Sequence, residues 1–172
     1  MSVVSLIVME SGSAWPGHVG DSENVVAVGE REEGLLPRIQ RMLASIRKRG
    51  EQVRVAVLAC NEATDAASVA RRAELARELL AAVAVVGFGR LVLSAADRAS
   101  MEIRRELLTL AGALSHTPVG VAATISVRFS GTQEPWTRGL RNRRAYQYAR
   151  KVVSSVNQSS PAGVMPFDSK IE

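Results

Sequence analysis

Two short segments carry the residues best suited to chemistry, Cys60-Asn61-Glu62-Ala63-Thr64-Asp65 and Ser94-Ala95-Ala96-Asp97-Arg98-Ala99-Ser100. Each sets an amide or carboxylate beside hydroxyls directly after an apolar run. Asn61, Asp65, Ser94, Asp97 and Arg98 together would suit a small polar or anionic ligand, with the Arg98 guanidinium holding a carboxylate or phosphate through two parallel hydrogen bonds. The same residue types are preferred helix N-caps, so each segment also reads as the start of a helix. Cys60 would act as a nucleophile only if a base such as His18 or His116 came close and lowered its pKa; otherwise a cysteine ending an apolar run is a small buried hydrophobe. His18, Asp21 and Glu23 could surround a divalent cation but match no recognised ligand motif, so no metal is assigned. The sequence has no GxxxxGK[ST], and no GxGxxG follows its first strand. Gly87-Phe88-Gly89 precedes a strand rather than opening a helix, so no nucleotide cofactor is expected.

Hydrophobic periodicity supplies the elements that would position these segments. Val3–Met9 and residues 24–28 read as strands, separated by a Gly- and Ser-rich loop, 10–23, that carries Trp15, His18 and Asp21. After Gly34, apolar residues at Leu35, Ile39, Met42, Leu43 and Ile46 follow the spacing of an amphipathic helix that Gly50 would end. Residues 54–59 form a continuous apolar strand, followed by a helix capped by Thr64 or Asp65 and running to about Val86. The pattern repeats, with a strand at 91–95, a cap at Asp97 or Ser100, and a helix whose buried stripe is Ile103, Leu107, Leu110, Ala111 and Leu114. An alternating strand over 119–129 closes the domain.

This alternation predicts an α/β fold: a single three-layer α/β/α domain over residues 1–130, with a mainly parallel sheet of about five strands and helices on both faces. The first two strands are expected to form an antiparallel pair. The layout is similar to that of several ligand-binding α/β families, universal stress proteins among them. The glycine-rich phosphate loop of their nucleotide-binding members is missing after residues 91–95, so the likeness is one of architecture. In such sheets ligands bind beyond the carboxyl ends of the strands, which is where the two polar segments fall.

The composition fits one domain: 172 residues, 47% hydrophobic and only 4% aromatic, so the core must be largely aliphatic. A single cysteine excludes an intramolecular disulfide, and the N-terminal apolar run lacks a basic flank and is too short for a signal segment. A soluble cytoplasmic protein without membrane contact is expected. Charge is uneven: residues 1–130 carry 15 Lys/Arg against 14 Asp/Glu, and residues 131–172 carry 7 against 3. Arg138, Arg141, Arg143, Arg144, Arg150 and Lys151 stand together with no acid between them. Residues 131–157 read as a linker and a basic amphipathic helix with Ala145, Tyr148, Ala149, Val152 and Val156 on one face; residues 158–172 read as a disordered tail.

Two functions fit this pattern. The first is a non-enzymatic α/β ligand- or partner-binding module whose basic helix contacts an anionic partner, either nucleic acid or an acidic protein. The alternative is a small hydrolase or transferase using the polar residues at the strand ends. The first is preferred, because an enzyme would be expected to show a nucleophile, a base and an anion-binding loop in recognisable order.

Overall fold

The structure is a computed structural model that describes residues 2–16, 24–87 and 89–129. The elements in chain order are β1 (Val3–Met9), β2 (Val25–Gly29), α1 (Leu35–Lys48), β3 (Gln52–Ala59), α2 (Ala66–Ala84), β4 (Gly89–Ala95), α3 (Met101–Ser115), a 3₁₀ turn (Gly120–Ala122) and β5 (Ala123–Phe129). The strands make one five-stranded sheet in the order β2-β1-β3-β4-β5, and every neighbouring pair is parallel.

That arrangement corrects the expected antiparallel start. β2 runs beside β1 in parallel register, from Ser5 opposite Val25 to Met9 opposite Gly29. The loop over 10–24 has the length a parallel crossover needs, far more than a hairpin requires. β5 also begins later than the periodicity suggests, because the chain first makes the 3₁₀ turn.

Handedness decides where the helices go. The β2→β3, β3→β4 and β4→β5 connections all step the same way across the sheet, and right-handed crossovers then place α1, α2 and α3 on one face. The core agrees. Val4, Leu6 and Val8 of β1, Ala56 and Leu58 of β3, and Leu91 and Leu93 of β4 pack with Leu35, Ile39, Leu43 and Ile46 of α1, Leu75, Leu79 and Val83 of α2, and Ile103, Leu107 and Leu114 of α3. All three described helices therefore lie on one face of the sheet. The helix expected over 141–156 and the tail over 158–172 lie outside the described residues, as do His18, Asp21 and Glu23.

Local chemistry starts and stops the helices. Asp65 caps α2 by accepting from the Ser68 amide, and Ser100 caps α3 by accepting from Ile103. Gly50, at φ 72°, takes the left-handed conformation just after α1. The likeness of the two middle units has a packing basis. A Cβ on Gly89 would lie 1.9 Å from the Val83 carbonyl oxygen, and one on Gly120 would lie 1.9 Å from that of Leu114. In both units the chain returns to the sheet hard against the end of the preceding helix, where no larger residue fits.

Leu107 is fully buried between α3 and the sheet. Leu107→Ala is therefore expected to lower unfolding stability by about 2–5 kcal/mol in urea titrations; a neutral effect would contradict this packing.

Candidate functional site

β1 and β3 are neighbours whose onward connections leave in opposite directions, so the crevice between their carboxyl ends is the topological switch point of the sheet. Glu10 is the first residue after β1, and its carboxylate is wholly buried there. Opposite it, α2 buries Arg72 on the same stripe as Leu75, Ala76 and Leu79, leaving the guanidinium 0% exposed.

All five Arg72 N–H donors have acceptors. Nε donates to Glu10 Oε1 at 2.9 Å, and Nη1 lies 2.6 Å from both Glu106 carboxylate oxygens. Nη2 donates to Asn61 Oδ1 at 3.1 Å and to the Ala63 carbonyl at 3.0 Å. Arg71 extends the chain of charges, donating to Glu10 Oε2 at 3.0 Å and to Glu30 Oε1 at 2.7 Å. Glu30 in turn accepts from the Ser11 amide at 2.8 Å. Glu30, Arg71, Glu10, Arg72 and Glu106 thus alternate in sign and tie the ends of β1 and β2 to α2 and α3. Burial acts to lower the Arg72 pKa, but the Glu10 charge and the hydrogen bonds to Glu106 and Glu10 outweigh it and raise the pKa above the usual arginine value. Arg72 stays cationic.

The network occupies the switch-point crevice. Asn61 closes it further, because its amide N–H donates to Glu10, its Nδ2 donates to the Ser11 carbonyl at 2.9 Å, and its Oδ1 accepts from Ala63 and Arg72. The next loop is laced to this one by Thr64 donating to Glu102 at 3.1 Å and the Ser100 amide donating to Glu62 at 3.2 Å.

The five residues singled out from sequence do not converge on one open cleft. Asn61 is committed to the network. Asp65 is exposed and caps α2, and its hydrogen bonds from Ser68 hold its carboxyl below the usual range. Ser94 is buried on the sheet face opposite the helices, and its hydroxyl has no partner. Asp97 and Arg98 are exposed in the loop after β4, where Arg104 binds the Asp97 and Ala99 carbonyls and stacks over Phe129 at 4.4 Å. Among the described residues, neither the Asp97 nor the Arg98 side chain makes a hydrogen bond or ion pair.

Cys60 lies at the carboxyl end of the sheet, its amide bonded to the Ser94 carbonyl and its side chain in the helix-side core. Burial pushes its thiol well above the ordinary range, and the negative charge of Glu10 adds to that shift. His116 caps the far end of α3, which runs back to the amino ends of the strands, so it is placed away from Cys60. At that same amino end α1 and α2 flank a groove of about 560 Å³ lined by apolar Leu43, Ile46, Val53 and Val85 and by charged Arg47, Glu51 and Glu78. No group of three or more His, Cys, Asp or Glu among the described residues is placed to hold a metal ion, and no described helix is long and apolar enough to cross a membrane.

Sequence reasoning passed over Glu10, Glu30, Arg71, Arg72 and Glu106. The signal was present at Arg72, which precedes Leu75, Ala76 and Leu79 at the spacing of a buried stripe. No family model, curated protein or solved structure matches the chain.

The Cys60 environment makes a direct prediction. A buried thiol with a raised pKa should resist iodoacetamide in the native protein between pH 7 and 9, and its labelling should track global unfolding in urea. Rapid native labelling would contradict this placement.

Proposed function

We propose that this chain is a non-enzymatic α/β interaction module whose basic segment, with Arg138, Arg141, Arg143, Arg144, Arg150 and Lys151, binds the phosphate backbone of a nucleic acid. The observation that carries the reading is the charge pattern: six cations with no acid among them, next to a nearly neutral domain. The strand-end crevice supports it from the other side, because internal ion pairs fill the place where such folds hold a substrate. Cys60, the one candidate nucleophile singled out from sequence, is buried and has a raised pKa. Of the five residues singled out for a small ligand, Arg98 is the one cation, and it is exposed in the loop after β4. Backbone contacts give little base preference, and Tyr146 is available to stack on unpaired bases.

Fluorescence anisotropy with labelled single- and double-stranded oligonucleotides tests this. Affinity should fall steeply with salt, with a slope of roughly −0.7 to −0.9 per phosphate neutralised, and replacing Arg143, Arg144 and Arg150 by Gln should flatten that slope by up to about 2–3. Absence of binding at micromolar protein and low salt would overturn the proposal.

A further inference from the structure

The three described helices all pack on one face of the sheet, yet the other face is buried as well. In register, Ala27, Ile7, Val57 and Val92 form one row across β2, β1, β3 and β4, and Met9, Ala59 and Ser94 form the row above it. Ile7 is 0% exposed and Ser94 1%, although neither belongs to the helix-side core. Burial fades toward β5, where Thr124 and Arg128 on the same face are exposed. This cover comes from the chain itself, since the burial is that of a single copy.

Part of the cover is visible. The β1→β2 connection steps the opposite way across the sheet from the other three, so a right-handed crossover puts it on this second face. It carries Ser13, Ala14, Trp15 and Pro16, all buried. Trp15 is itself only 2% exposed and is no part of the helix-side core.

We propose that residues 141–156 are the helix that completes this layer, seated on the second sheet face over β1 and β3 and against Trp15. Its sequence stripe of Ala145, Tyr148, Ala149, Val152 and Val156 would turn inward, the small alanines allowing close approach to Ala27 and Ala59. Sixteen helical residues are about 24 Å long, which matches a seven-residue strand of about 23 Å. β5 ends at Phe129 on the sheet edge, and residues 130–140 reach at most roughly 36–40 Å, while β1 lies about 14 Å across the sheet. Docked this way, the helix turns Arg143 and Arg150 to solvent. The assignment goes beyond the nucleic-acid reading and does not depend on it.

Hydrogen–deuterium exchange on the unaltered chain is the test. Amides of residues 141–156 should be protected at least ~100-fold over an unstructured peptide. In a chain carrying Trp136→Phe, so that Trp15 alone reports, Val152→Asp should shift Trp15 emission to the red and lower the urea midpoint. Arg143→Gln with Arg150→Gln should leave both unchanged. Unprotected amides over 141–156 overturn the proposal. So does protection found only in 158–172, or protection that appears only as concentration rises, which marks a second copy as the cover. Protected amides without oligonucleotide binding would defeat the functional reading alone.

Discussion

The carboxyl end of this sheet is organised around one buried cation. A guanidinium removed from water is costly unless each of its donors finds an acceptor and its charge finds a counter-charge, and Arg72 meets both conditions through Glu10, Glu106, Asn61 and the Ala63 carbonyl. These partners come from β1, α3 and the loop after β3. The five bonds can be made together only when α2 sits at one height on the sheet and α3 at a matching one, so the network acts as a registration device for elements that apolar packing alone would let slide. Arg71 carries the same constraint out to β2 through Glu30.

What the network closes bears on function. In folds with this strand order the crevice between β1 and β3 is the usual ligand site, and here it holds the protein's own charges. The two polar loops beside it are bonded to each other and to the helix starts. Outside that crevice, the Asp97–Arg98 corner is exposed, and a groove lies between α1 and α2 at the other end of the sheet.

Much of the fold was legible because strands and helices bury different periods of the sequence. β1 has the bounds its apolar run suggests, and Leu75, Leu79 and Leu107 are buried as their spacing implies. The continuous apolar runs of β1, β3 and β4 also carried the information that both sheet faces are covered. Strand direction was not legible at the start, since alternation is the same in parallel and antiparallel pairs; only the length of the 10–24 connection distinguished them. The network was missed for another reason. Arginine and glutamate on helices read as solvated faces, and nothing in the spacing of Glu10, Arg72 and Glu106 shows that three separate elements bring them together. The residues chosen instead, Asn61 and Asp65, are polar because they satisfy backbone and side-chain donors at a strand end and a helix start.

The central claim is that Arg72 and Glu10 act as one unit, and a double-mutant cycle measures this most directly. Urea unfolding would be compared for the unaltered chain, Arg72→Met, Glu10→Gln and the double variant. Arg72→Met alone leaves Glu106 without its counter-charge and Glu10 with Arg71 only, and should cost about 3–5 kcal/mol. The account predicts that the double variant is less destabilised than the sum of the singles, with a coupling of about 1–3 kcal/mol. Additive losses, within about 0.5 kcal/mol, would contradict it.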